Sequence, residues 1–319
     1  MASRHYQMFK SFFRSKIDTR KQNNIKVELQ GFAQKFLDDS DLYFVYQYGK
    51  GGSSTTANTL QSHDCNAIHC HIINERVLRI RERLSAHKST REHNRASYFV
   101  SNSRYRLYRT MFEQRQAPVK IITTLREPDS FLKSVFFQQR TLFQHFIELQ
   151  YGEFTLSNMI TFFEEGLKES LSWIEIFKSD ESQLIECLSQ TENIGFGFLA
   201  FLIYCYLYWF DNELFDFFNI TKNELEKQDN FWYYERDNIK GAIVKLEDFD
   251  DGMTNALSFL SNMPIRGLNT INEGERKKLG DWYKEFKESA KICDEISLLL
   301  SECWHVKMFY GDRKDRVII

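Results

Sequence analysis

Along this chain, short apolar runs closed by Gly- or Pro-containing turns alternate with longer stretches of helical period. The first compact β-type run is Leu42-Tyr43-Phe44-Val45-Tyr46. It breaks into Gly49-Lys50-Gly51-Gly52-Ser53-Ser54-Thr55-Thr56 and turns polar and helix-compatible from Ala57, which predicts strand, small-residue loop, helix. Asn66 to Ile73 reads as a short buried strand, Ile239 to Leu246 as another. Val119 to Leu125 is β-branched almost throughout, so it is expected at the centre of a sheet with both faces covered. Helical patterns occupy Glu75 to Lys88, Ser130 to Phe143, Met253 to Leu260 and the remainder to Arg316. Residues 1–38, polar with spaced aromatics, suit helices packed on a core. From about Phe146 to Asp237 the pattern is helical and very aromatic. Strands separated by helices predict an α/β fold around a mainly parallel sheet. The expected organisation is a single domain over 1–319, with 42–145 and 239–260 as its core and 146–238 as a helical insertion, because no linker or repeat divides the chain.

Composition adds bounds. The 319 residues, 42% of them hydrophobic, are enough for a sizeable buried core. A formal charge of -2 supplies no global field for nucleic acid or a membrane surface, so an anion site has to be local. Six cysteines occur without a CxxC pair, as expected for free thiols in a reducing compartment. The N-terminus lacks an apolar core segment of the secretory kind, and the expected location is cytoplasmic. The aromatic run Phe196 to Phe210 is shorter than the roughly twenty residues that span a bilayer. A buried helix or a subunit interface is expected there, without a transmembrane segment, which leaves room for homo-oligomers and for peripheral membrane contact.

Three features carry candidate chemistry. Successive small residues at a helix N-terminus turn backbone N–H groups into one concavity, where the helix dipole favours negative charge. The loop at Gly49 to Thr56 is therefore read as an anion cradle with Lys50 at its lip, against the plainer reading of a Gly/Ser turn after an edge strand. Its spacing fails the Walker pattern, since Lys50 precedes the small residues. In a strand, His69 and His71 share one face while Ile68, Cys70 and Ile72 share the other; the pair is read as general base, structural pair or metal ligands, with no third ligand spaced to close a metal site. The strand from Val119 ends in Arg126-Glu127-Pro128, and if the strands are parallel Arg126 lies level with the Lys50 loop at the carboxyl edge, where arginine suits bidentate phosphate recognition. The arginines Arg76, Arg79, Arg81 and Arg83 read better as a solvated helix face than as an electropositive wall.

Taken together these pieces resemble the sulfotransferases that use 3'-phosphoadenosine 5'-phosphosulfate (PAPS), closest to the bacterial capsular polysaccharide synthesis group, with likeness to the carbohydrate sulfotransferases. Lys50-Gly51-Gly52-Ser53-Ser54-Thr55 matches the family's 5'-phosphosulfate loop, although Gly49 stands where a Pro often precedes the Lys. Arg126-Glu127-Pro128 with Ser134 matches the 3'-phosphate element, followed by Phe136 and Phe137. Lys245-Leu246-Glu247-Asp248-Phe249 with Phe259-Leu260 matches a late strand and helix, and His69 with His71 a histidine pair of some carbohydrate 2-O-sulfotransferases. The segments Trp209 to Glu213, Phe231 to Tyr234 and Phe309-Tyr310 match the capsule-type group.

The resemblance implies a P-loop-like three-layer fold and transfer of a sulfuryl group to a hydroxyl of a saccharide or related acceptor, in capsular polysaccharide synthesis. It implies that Lys50 neutralises the leaving oxygen, that Gly51, Gly52, Ser53, Ser54 and Thr55 hold the 5'-phosphate, and that Arg126 and Ser134 hold the 3'-phosphate. His71, or failing it His69, removes the acceptor proton, with Asp64 or Glu75 next in line; no metal is called for. The adenine contacts stay unassigned. Two other readings stand beside it: a nucleotide or sugar kinase with a divergent phosphate loop and Asp248 on magnesium, and a non-catalytic capsule-assembly partner.

Overall fold

The computed structural model describes residues 42–49, 52–269 and 280–311. The expectations for 1–38, Lys50, Gly51 and the end past Gly311 lie outside the described residues. The chain builds β1 (Leu42–Tyr46), α1 (Ser53–Ser62), β2 (Ala67–Cys70), α2 (Glu75–Ala86), α3 (Glu92–Gln114) and β3 (Val119–Leu125). Helices α4 (Pro128–Gln138), α5 (Arg140–Tyr151), α6 (Leu156–Lys178), α7 (Glu181–Gln190) and α8 (Gly195–Trp209) follow. After α8, a π-helical turn, Phe210–Phe215, leads into a last turn at Asp216–Phe218. Then come β4 (Glu226–Lys227), β5 (Phe231–Arg236), β6 (Ile239–Lys245), α9 (Phe249–Ser261), α10 (Gly280–Ser289), α11 (Asp294–Glu302) and α12 (Trp304–Tyr310).

The six strands form one mixed sheet in the order β2-β1-β3-β6-β5-β4. The first four are parallel, and β5 and β4 extend them antiparallel. An α/β fold with a mainly parallel sheet is thus what the strand and helix pattern predicts. All five residues of β1 are buried, because helices cover both faces of the sheet. Phe44, Tyr46, Ile68, Cys70 and Ile121 join the larger core with α2 to α8 and the C-terminal helices. Tyr43, Val45, Ile122, Ala242 and Val244 pack on the other face with α1 and α9. The aromatic run is a buried helix, α8, with Phe198, Tyr206 and Trp209 in the larger core. Among the described residues no helix is long and apolar enough to cross a membrane.

The segment 146–238 is not helical throughout. Phe231–Arg236 is a strand paired with β6, Arg236 against Ile239, so only Asp237 and Asn238 form the hairpin loop, and Asp237 takes a left-handed φ of 52°. Two β-rich runs separated by an Asp-Asn dipeptide favour that two-residue turn, and cross-strand pairing outweighs the helical reading of the aromatics. In this hairpin Tyr234 lies opposite Gly241, and a Cβ on Gly241 would come within 2.1 Å of the Tyr234 ring. Gly241→Ala is therefore expected to lower stability by about 1–3 kcal/mol through overpacking. An unchanged urea midpoint would contradict this packing.

Candidate functional site

In this strand order the connection from β1 runs to β2 on one side, and that from β3 leads on to β6 on the other. The crevice between the carboxyl ends of β1 and β3 is the point where the direction reverses, the usual ligand position in open α/β sheets. Tyr48 and Gly49 after β1 and Arg126 after β3 both follow the strand ends that border it, since the two strands are parallel with Val45 level with Ile122.

The turn into α1 is glycine-dependent at two places. Gly49 has φ 101° and Gly52 φ 77°, left-handed values that side chains disfavour. Gly52 is also the N-cap of α1, and a Cβ there would meet the Phe249 ring at 2.6 Å. The first residue of α9 therefore holds the turn closed from below. Thr56 seals the helix start, its N–H and hydroxyl both donating to the Gly52 carbonyl at 3.0 and 3.2 Å. Ser53 and Thr55 are buried and Ser54 is exposed. Since Gly52 offers no side-chain cap, the amides of the first turn and the dipole behind them present a concavity that suits an anionic oxygen.

His71 sits beside this turn. Its Cε1 lies 3.9 Å from the position a Cβ on Gly49 would take, and its Nδ1 is 2.7 Å from the Gln47 carbonyl oxygen. A carbonyl only accepts, so Nδ1 carries the proton and Nε2 keeps its lone pair. Burial lowers the His71 pKa, with Arg81 adding to the effect and the Gln47 carbonyl opposing it; the ring is neutral at pH 7. The His69 ring packs edge-on against it at 4.4 Å. Burial, and then the charge of His71, push His69 down to about 3, and its Nε2 is buried without a hydrogen-bond partner. Of the two, His71 is the one whose tautomer is set by a hydrogen bond, to the Gln47 carbonyl. Glu75 is ion-paired with Arg106 at 3.0 Å, and Asp64 is exposed.

The main chain at Arg126 is held from three sides. The Tyr48 hydroxyl accepts its N–H at 2.9 Å, Tyr206 donates to its carbonyl at 2.8 Å, and Glu247 accepts the next N–H, that of Glu127, at 2.8 Å. The guanidinium Nε donates to Ser130 Oγ at 2.9 Å, one helical turn before Ser134. Ser134 itself is buried and accepts from the Tyr283 hydroxyl at 3.1 Å. The serine joined to Arg126 is thus Ser130, whose four-residue spacing across the start of α4 was the available signal. Tyr48, Tyr206, Glu247 and Tyr283 are further contributors that sequence spacing missed. Asp248 forms an ion pair with Lys245 at 2.7 Å.

The arginines of α2 are mostly engaged within the fold. Arg76, Arg79 and Arg83 are exposed, as a solvated helix face requires; Arg76 caps the end of α6 through the carbonyls of Phe177 and Ser179 and Arg83 pairs with Glu181, whereas Arg81 departs from that reading, buried on Asn102. Among the described residues no group of three or more His, Cys, Asp or Glu side chains is arranged to hold a metal ion. All six cysteines are free thiols.

Comparison with known proteins adds no relative: no family model, no curated protein and no solved structure matches this chain.

Proposed function

We propose that this protein transfers a sulfuryl group from PAPS to a hydroxyl of a saccharide or related acceptor, on a P-loop-like variant of the α/β fold. The observation that carries this reading is the meeting, at one sheet edge, of a glycine-shaped helix N-terminus, an arginine with a fixed main chain, and a histidine whose Nε2 lone pair is set by its own hydrogen bond. An anion cradle at each end suits a bisphosphorylated nucleotide, and an imidazole beside one cradle suits proton removal from a hydroxyl. Bound PAPS supplies an activated sulfuryl group. In this reading the first-turn amides with Ser53, Ser54 and Thr55 bind its 5'-phosphate, and Arg126 with Ser130 or Ser134 binds the 3'-phosphate. His71 Nε2 accepts the acceptor proton. Lys50, assigned from sequence alone, stabilises the leaving oxygen by charge. In-line sulfuryl transfer asks for this combination of positioning and charge stabilisation.

Calorimetric titration with 3'-phosphoadenosine 5'-phosphate against ATP tests the proposal. Binding of the bisphosphate with ATP excluded is the expected result; preference for ATP with magnesium would favour the kinase, and binding of neither the non-catalytic partner. Arg126→Ala removes a charged hydrogen bond worth roughly 1.5–3 kcal/mol, so bisphosphate binding is expected to weaken about ten- to hundredfold. Wild-type affinity in that variant would remove Arg126 from the site.

A further inference from the structure

The backbone that carries His71 is gripped by a single turn of the helical insertion. Trp209 Nε1 donates to the His71 carbonyl at 2.9 Å, Glu213 Oε2 accepts the N–H groups of Ile73 at 2.7 Å and Asn74 at 2.9 Å, and the Asn212 carbonyl accepts from Asn74 Nδ2 at 2.9 Å. The Tyr46 hydroxyl, at the end of β1, donates to the same Glu213 oxygen. These residues straddle the junction where α8 widens into the π-helical turn, an irregularity frequent at functional sites. Glu213 is only 1% exposed. A buried carboxyl is costly unless donors converge on it, and here its donors are the end of β1 and the chain just past His71.

We propose, resting on the reading of His71 as the base, that Glu213 and Trp209 are positioning residues for His71. The reason is geometric. His71 keeps the Nδ1–H tautomer only while its ring reaches the Gln47 carbonyl, and that reach is set by where the chain leaves β2. β2 ends at Cys70, so sheet hydrogen bonds do not locate residues 71 to 74; Trp209 and the π turn do, with Arg109 Nη1 adding a donor to the Ile73 carbonyl at 3.3 Å. Asn74 relays the same constraint into α2, its side chain capping the N–H groups of Arg76 and Val77. Glu213 also ties β1 to this turn through Tyr46, which fixes the two sides of the His71 hydrogen bond relative to each other.

The test reads the imidazole directly by nitrogen NMR on the full chain, with the His71 signals assigned by their loss in His71→Gln. Wild type is expected to show a protonated Nδ1 and an unprotonated Nε2. Trp209→Phe and Glu213→Ala are expected to replace these by tautomer-averaged signals, with the titration midpoint moving up toward 6.5. Glu213→Gln, whose amide oxygen still accepts from the same donors, is expected to retain the wild-type signals. With the sulfuryl acceptor assay in hand, Trp209→Phe should lower kcat by about 10²-fold, the scale of a misplaced group, with bisphosphate affinity unchanged. If Glu213→Ala does not fold, Trp209→Phe decides. Wild-type His71 signals in a folded Trp209→Phe or Glu213→Ala protein would overturn the proposal. Because the imidazole signals need no turnover, failure of the sulfotransferase reading shows separately, as absence of bisphosphate binding by wild type.

Discussion

His71→Ala is expected to cut kcat by roughly 10²- to 10⁴-fold, the range of a lost general base, while leaving affinity for the PAPS-derived bisphosphate nearly intact. The asymmetry follows from where the ring sits. Its Nδ1 is committed to Gln47, and the remaining Nε2 is neutral because burial holds the pKa below its ordinary value. A ring in that state accepts a proton and contributes no charge to binding an anionic nucleotide. Lys50→Ala should behave differently, slowing turnover with every acceptor and also weakening the donor, because in the proposed mechanism its cation acts on the leaving oxygen and on the bound phosphosulfate alike. An acceptor whose nucleophile is already deprotonated should partly rescue the His71 variant and leave the Lys50 variant slow. Single-turnover rates and a donor-binding titration for both variants decide between these roles. Full activity in His71→Ala with loss in His69→Ala would move the base to His69, despite a pKa pushed down to about 3. Full activity in both would exclude the pair.

The second large effect concerns pH and stability. Burial first of all raises the Glu213 carboxyl from 4.5 to about 7, against the lowering pull of Tyr46, the Ile73 and Asn74 amides and Arg81. Cys70 and Cys205 also face it, and its charge adds to the rise of both thiols. Between pH 4.5 and about 7 the folded protein holds this proton while the unfolded chain has lost it. Folding stability then falls as pH rises, since the unfolded state binds fewer protons. The contribution is complete below the unfolded pKa and is lost as pH rises through the folded one. At about 1.4 kcal/mol per pH unit the whole window is worth about 3 kcal/mol. Glu213→Gln cannot titrate and should lack this slope. Urea denaturation at pH 5 and pH 8 is the measurement, and wild type is expected to lose most of this, about 2–3 kcal/mol, relative to Glu213→Gln between the two. Parallel losses in both proteins would mean that Glu213 is ionised throughout.

The strand, small-residue loop and helix from Leu42 onward were legible in sequence because each is a local preference: a β-rich run, glycines able to take positive φ at Gly49 and Gly52, and a polar segment that tolerates a helix. Placement of Arg126 at a strand end was legible for the same reason, once Val119 to Leu125 is recognised as a central strand. What local preference left open was every choice of partner. Ser130 rather than Ser134 meets Arg126 because the side chain turns back over the first turn of α4, while Tyr283, 149 positions away in sequence, takes Ser134. Glu213 reaches Ile73 across 140 positions and Tyr46 across 167, out of the short polar run Asp211-Asn212-Glu213 that follows a nearly uniformly apolar helix with no face to point with. The hairpin of β5 and β6 shows the same division: aromatic residues at Phe231 to Tyr234 suit a helix or a strand, and only a neighbouring edge on β6 with open hydrogen-bonding groups decides for the strand. Sequence by itself determined which backbone each segment can adopt and which end of the sheet carries the polar loops. Tertiary structure alone decided which buried donors meet which acceptors, because a polar group taken out of water is costly without a partner and can take only one that packing brings within reach.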